Sequence, residues 1–283
     1  GARIATNSWG YGVGDPATQS ACLATLGNYF SENTTLDNLV RGSGGQPINI
    51  VWSAGNERST SSQYCGYIGW TYGTIGALAT AKNVITVGAI NSNNSSMTSF
   101  SSWGPTDDGR LKPDVVAPGC QSSADYGVTS CGSGGGYVTM CGTSMSAPAV
   151  SGVTALMMQK RRAVFGTDVL PSTVKGILIN TASDLGLVGP DYSYGHGKVD
   201  AVKACNKIGI GAPSYAQGEV YTSTVNQYDL TVPVGTTNLK VTLVWDDPGG
   251  TAIAGKDLKN DIDLTLIDPF GTEQFAWMLN PAT

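Results

Sequence analysis

Histidine is nearly missing from this chain: 283 residues contain one, His196. A nucleophile that needs an imidazole base therefore has a single candidate within the sequence. Charge is also scarce, at 13% of residues, and the balance is −5. An acidic balance argues against a polyanion as partner, so no nucleic acid is expected. The one basic cluster, Lys160-Arg161-Arg162, reads as a solvated helix end. No apolar run approaches the roughly 20 residues of a membrane-spanning helix, so no membrane partner is expected. No C-x-x-C pair offers zinc its usual spacing. Neither an initiator methionine nor a leader stands at Gly1, and the chain is expected to be a processed product, an engineered piece or a fragment.

What is present is glycine, 38 residues of it, beside an apolar content of 41%. That suits a compact, loop-rich globular protein with room for two domains. Cysteines stand at 22, 65, 120, 131, 141 and 205, an even number whose pairing the sequence leaves open. Sequons at Asn33-Thr34-Thr35, Asn93-Asn94-Ser95 and Asn94-Ser95-Ser96 suit a secreted eukaryotic chain. Together they point to a secreted, extracellular, disulfide-permitting setting. Buried free thiols are the plainer alternative.

Up to about residue 207, strand and helix signals alternate. "ARIATNSW" reads as extended, and "GDPATQSACLATLGNYF" as a helix with Asp15 as N-cap and Pro16 at its first position. "INIVWSAGN", "NVITVGAI" and "PDVVAPG" are short β-branched runs of the kind buried on both faces of a parallel sheet. A long helix is expected from Ser144 to about Phe165, its first half rich in small residues. Two more are expected over "PSTVKGILINTA" and "GKVDAVKAC". The fold class is α/β, a mostly parallel sheet flanked by helices.

After Ile210 the period becomes two. Leu239, Val241, Leu243 and Trp245 share one face of "TNLKVTLVWDD", and Ile262, Leu264 and Leu266 one face of "NDIDLTLIDPFG". Residues 217–222 and 226–234 are weaker strands, and "EQFAWML" is the last. An all-β sandwich, barrel or jelly-roll-like domain, probed only in part, is expected over 211–283.

Four stretches carry chemistry. In "GTSMSAP", residues 142–148, Ser144 opens the long helix, where unpaired N–H groups and the helix dipole favour negative charge. An oxyanion formed by attack of Ser144 on a carbonyl would be stabilised there. The plainer reading is a turn and a helix cap. "SAGN", residues 53–56, leaves the carboxyl end of an apolar strand, where parallel sheets build sites. The Asn56 amide can donate to an oxyanion, and losing such a donor costs roughly 10²–10³ in rate. Alone, Asn56 reads as an ordinary turn residue. "NSWG", residues 7–10, is a strand edge able to pair with an extended peptide. "FSSWGPTDDGRLKPDVVAPG", residues 100–119, reads as turns and one strand.

Taken in order, "NSWG", "SAGNE", "ITVGA", "FSSWGP…KPDVVAPG", "GTSMSAP" and "YGHGKVDA" resemble the subtilisin-like serine proteases over residues 1 to about 207. "VTLVWDDP" and "NDIDLTLIDPFG" resemble the β-barrel domain of the alkaline-protease subgroup of that family. The resemblance implies a subtilisin-like catalytic domain over 1–207 that lacks its N-terminal portion, and a truncated β domain over 211–283. It implies a serine endopeptidase acting on proteins and peptides through an acyl-enzyme on Ser144. Asn56 and the Ser144 N–H would stabilise the oxyanion, with no cofactor for the chemistry. Ser8, Trp9 and Gly10 would form one wall of the substrate cleft, and Ser53, Ala54 and Gly55 would border the S1 pocket. Glu57 would bias that pocket towards basic or polar side chains, or else stand as a solvated rim carboxylate. Trp103 departs from the arginine more usual there.

The family order is Asp, His, Ser, with the first two upstream of a segment like "NSWG". Residues 1–143 hold no histidine. His196 lies where the family carries no catalytic residue and is expected to be a surface or packing histidine. An α/β-hydrolase would pair His196 with Asp168, Asp184 or Asp191, but its nucleophile elbow wants glycine where Ser146 stands. The base and its orienting acid are therefore expected outside this chain, in an N-terminal segment or a separate chain, and the isolated chain is expected to be inactive. A peptide-binding pseudoprotease is the competing class. Asp246-Asp247, and Asp261 with Asp263, are carboxylate pairs that would suit structural Ca²⁺, as proteases of the resembling type carry; solvated strand acids are the plainer reading. Cys141, three residues before Ser144, reads as a disulfide partner of Cys120 or Cys131 rather than as a nucleophile.

Overall fold

Four β-branched runs form one sheet in the computed structural model, which describes residues 1–123, 126–211 and 214–279. They are β1 (Ile4–Asn7), β2 (Asn49–Ser53), β3 (Ile85–Asn91) and β4 (Val115–Cys120), ordered β1-β2-β3-β4 and parallel throughout. β1 is an edge strand, with only β2 beside it. Alternation sends Val51 to one face of β2 and Ile50 and Trp52 to the other. Val51, Ile85, Val87 and Val115 pack with Val150, Met157, Val174, Leu178 and Ile208. Those last five lie on α3 (Thr143–Phe165), α4 (Pro171–Thr181) and α5 (Ala201–Ile210), which cover that face. On the other face Ile50 and Trp52 meet Val40, Ile75 and Leu78. The expected α/β class, a parallel sheet flanked by helices, is what the chain forms.

Two details differ on the covered faces. The first helix, α1 (Gln19–Thr25), starts later than expected: Thr18 accepts from the Ala21 N–H and is its cap, while Asp15 and Pro16 lie in the turn before it. Asp15 instead accepts from the Ser62 hydroxyl at 2.6 Å. A second helix, α2 (Ser31–Val40), has no counterpart among the sequence expectations. Its polar sequence hides its helical period, because the side chains facing inward include Asn33 and Asp37, both fully buried. Asn33 donates to Ala77 O, Leu78 O and the Thr80 hydroxyl, so burial is compensated by hydrogen bonds.

The C-terminal part departs further from expectation. The α/β unit runs to the end of α5 at Ile210. Beyond it the described residues form a single hairpin of β7 (Thr265–Ile267) and β8 (Glu273–Phe275), and no sandwich, barrel or jelly roll assembles. Residues 217–222, 226–234 and 239–245 pair with no strand. The reason shows in the faces: Leu239, Val241 and Leu243 point outward, while Val244 on the opposite side packs against the core. Asn180 of α4 donates to Lys240 O and to the Thr242 hydroxyl, so this segment runs along a helix instead of a ladder. In 262–266 the period-two pattern does hold, with Ile262, Leu264 and Leu266 half-buried between exposed neighbours.

A strap over residues 246–261 is fastened to the α/β body. The buried Lys82 ammonium donates to Asp247 at 2.6 Å and to the carbonyls of Pro248 and Asp257. Asp247 accepts in turn from the Lys259 and Asn260 N–H groups. Lys82 and Asp247 thus match one another's charge, as burial demands, whereas Asp257 keeps one carboxyl oxygen without a partner.

Candidate active site

The site grows from the carboxyl ends of β1, β2 and β4. β2 ends at Ser53, and Ala54 to Asn56 turn away from the sheet. Gly55 has a φ of +109°, and a Cβ there would stand 2.8 Å from the Ser102 hydroxyl, so this turn requires glycine. At the end of β4, Gly119 receives the Gly142 N–H at 2.9 Å. A Cβ on Gly119 would lie 2.6 Å from the Gly142 carbonyl oxygen, so again only glycine permits the approach. Between Gly119 and Gly142 the chain makes an exposed hairpin, β5 (Val128–Cys131) with β6 (Tyr137–Met140). Its base is closed by a Cys120–Cys141 disulfide. A second bridge joins Cys22 to Cys65, while Cys131 and Cys205 are free. Of the two partners expected for Cys141, the nearer in sequence to β4 is the actual one.

Thr143, fully buried, locks the two loops together. Its N–H and its hydroxyl both donate to Asn56 Oδ1, at 3.0 and 3.1 Å, and its hydroxyl accepts from the Gly55 N–H at 3.2 Å. With Oδ1 occupied, the Asn56 Nδ2 faces the opposite way. A Cβ built on Gly142 would lie 3.6 Å from Asn56 Nδ2 and 3.6 Å from the Ser144 nitrogen. The carboxamide donor and the helix-terminal N–H therefore flank one small space.

Ser144 is half-buried in the first turn of α3, and its hydroxyl has no hydrogen-bond partner among the described residues. Four residues on, Pro148 lies inside the helix and lacks the N–H that would bond the Ser144 carbonyl. The Ser8 hydroxyl donates to that carbonyl at 3.0 Å instead. Ser8 thus reaches the candidate nucleophile with its side chain, beyond the cleft-wall part expected of it. Trp9 carries on from β1: its carbonyl accepts from Trp52 Nε1 at 2.9 Å, and its indole, 57% exposed, sits 5.0 Å from that of Trp52. Ser53 and Ala54 are buried, and the backbone of Ala54 is committed to Val87 and Gly76. They support the turn from beneath.

Glu57 is not a rim residue. It is 7% exposed, and one carboxyl oxygen is buried with no hydrogen-bond partner. Burial pushes its carboxyl up to about 7, with only the Cys65 N–H opposing. Trp103 lies close by, with the Arg58 guanidinium stacked 3.4 Å from its ring centroid.

His196 stands at the other end of the sheet. Its N–H donates to the carbonyl of Asp114, which precedes β4, whereas Gly142 bonds to Gly119 near the strand's far end. Five residues of strand at ~3.3 Å each put ~16 Å between the two points. Burial depresses its imidazole to about 4, with Lys240 and Lys175 adding to the shift against Asp114 and Asp184. Asp168 pairs with Arg162, and Asp191 accepts from Ser193 and Tyr194. The hydrolase arrangement with His196 as base is not formed. The carboxylates considered for calcium do not gather either. Asp247 is held by Lys82, Asp261 by Lys256, and Asp246 accepts from the Ser172 N–H. Among the described residues no group of three or more His, Cys, Asp or Glu side chains assembles.

With this geometry in view, the sequence pattern of the Subtilase family matches residues 1–197. The chain belongs to the subtilase family. It is 35% identical over 168 residues to the serine protease AprX of Bacillus subtilis (strain 168), covering 54% of this chain and 36% of that protein. It is 30% identical over 201 residues to the serine protease/ABC transporter B family protein tagA of Dictyostelium discoideum, covering 59% of this chain and 11% of that one. The chain therefore spans about a third or less of these relatives. Among solved structures it resembles the self-cleaved protease domain of PatA, with a TM-score of 0.52 at 21% identity, over 75% of this chain and 63% of that one. The patellamide maturation protease PatA gives a TM-score of 0.52 at 22% identity, over 75% and 64%. No helix among the described residues is long and apolar enough to cross a membrane.

Proposed function

We propose that this chain carries the nucleophile and oxyanion half of a subtilisin-like serine endopeptidase. Ser144 attacks the scissile carbonyl, and Asn56 Nδ2 with the Ser144 N–H stabilises the oxyanion of the tetrahedral intermediate. The observation that carries this reading is the common space 3.6 Å from both donors. The segment Ser8 to Gly10 would take an extended peptide as an added strand, with protein or peptide as substrate. The two disulfides suit a secreted setting.

The base and its orienting acid come from outside these residues, since the backbone of the one histidine is anchored at Asp114, ~16 Å along β4 from the Gly119 anchor of the site. The isolated chain is then nearly inactive: losing the histidine of such a triad costs about 10⁶ in kcat. Fluorophosphonate labelling tests both halves. The chain alone should label negligibly. The chain preceded by a grafted segment carrying the family's Asp and His should label at Ser144, and Ser144→Ala should abolish it. Rapid stoichiometric labelling of the chain alone would contradict the need for an outside base. A grafted chain that binds peptide yet never labels would favour the pseudoprotease.

A further inference from the structure

We propose that Asn94 is an acceptor site for N-linked glycan. Of the three N-x-S/T triplets in the chain, the fold leaves one fit for the reaction. Asn33 is fully buried in α2, and its amide nitrogen already donates three hydrogen bonds to the body of the protein. A glycan there would require the α2 face to leave the core. Asn93 is exposed but tied at both ends of its amide. Its nitrogen donates to the Ser123 hydroxyl at 2.7 Å, and its oxygen accepts from the N–H and hydroxyl of Ser122.

Asn94 is arranged differently. It is exposed on the turn that follows β3, and its Oδ1 accepts from both the N–H and the hydroxyl of Ser96, at 2.9 and 2.7 Å. Ser96 is the third residue of its own sequon. The side chain thus closes a turn on its hydroxyl residue, and hydrogen bonds to the carbonyl oxygen draw electron density from the nitrogen and acidify its N–H, which eases loss of that proton to a base. The nitrogen itself has one long contact, 3.3 Å to the Ser122 hydroxyl. Ser95 between them has a φ of +59°, which turns the loop outward. The two disulfides suit the oxidising conditions in which such transfer occurs.

The donor is an oligosaccharide pyrophosphoryl lipid, and a transferase of the host supplies the catalysis. The Asn94 nitrogen attacks the anomeric carbon, a C–N bond forms, and the carbon–oxygen bond to pyrophosphate breaks with its electron pair. The amide proton passes to the transferase's base. The turn lies beside Cys120, whose carbonyl accepts the Ser92 N–H, so the glycan would rise from the same sheet end as Ser144.

The full chain, translated behind a secretion leader with eukaryotic microsomes, tests this without any need for activity. Enzymatic glycan release in heavy-oxygen water leaves a labelled aspartate wherever a glycan stood, and peptide mapping locates it in all chains made. Label at position 94, lost in Asn94→Gln and Ser96→Ala but kept in Ser95→Ala, is the expected result. The Ser95→Ala change removes only the Asn93 triplet. Unglycosylated chains, or label at position 93 or 33 in place of 94, would overturn the assignment.

Discussion

The Ser8 hydroxyl donates to the carbonyl of Ser144 at 3.0 Å, across 136 residues of sequence. It stands in for the helical N–H that Pro148 lacks, and so ties the end of β1 to the first turn of α3. Ser8→Ala leaves that carbonyl to solvent. The expected loss is about 1 kcal/mol of stability, read as a lower denaturant midpoint at unchanged slope. Ser8→Thr should restore most of it. An alanine variant as stable as the parent would mean that water replaces the bond without cost.

Thr143 spends its hydroxyl on Asn56 and on the Gly55 N–H together. Thr143→Val keeps the shape and removes both bonds in a buried place, at an expected cost of about 2 kcal/mol. In a base-supplied form of the protein, fluorophosphonate labelling of Ser144 should also slow, as the carboxamide loses its orientation. Thr143→Ser should recover both readouts. Asn56→Ala should slow the labelling by roughly 10²–10³ and, because it strips the acceptor from the buried Thr143 N–H and hydroxyl, should also lower the denaturant midpoint.

Glu57 binds its proton more tightly folded than unfolded, because burial raises its carboxyl to about 7. Its cost is absent below the ordinary glutamate range, grows as pH rises towards 7, and is complete above it, at about 3 kcal/mol. Glu57→Gln should therefore stabilise the chain at about pH 8 and change little at about pH 4. Equal effects at both values would refute the burial argument.

His196 runs the other way. Its imidazole titrates near 4 in the fold, so the unfolded chain takes up the proton first as pH falls. Stability should be unaffected by this group above the ordinary histidine range and should fall by about 3 kcal/mol towards pH 4. His196→Gln should flatten that part of the stability curve. The measurement is the denaturant midpoint across the acid range.

The sheet strands and the helices α3, α4 and α5 were legible because their apolar residues repeat at the period of the element they form. Helix α2 was not, because Asn33 and Asp37 face inward and are satisfied by partners far along the chain. The same holds for the strap, whose Asp247 looked like a surface acid until Lys82 stood beside it. At the site, Ser144 and Asn56 each read alone as a cap or turn residue, and stood out through the resemblance carried by the ordered motifs around them. Thr143 and the link from Ser8 did not, although Pro148 four residues after Ser144 foretold a carbonyl in want of a donor. The period-two face of Leu239, Val241 and Leu243 misled about direction: alternation gives two faces and does not say which one the body will meet.

Among the described residues, the outer side of β1 presents a row of amide and carbonyl groups with no ladder beside them. Such a margin is adhesive, since any extended polypeptide can dock along it by main-chain bonds alone. Handled by itself, this protein will tend to stick to its own copies, and concentration-dependent light scattering should show it.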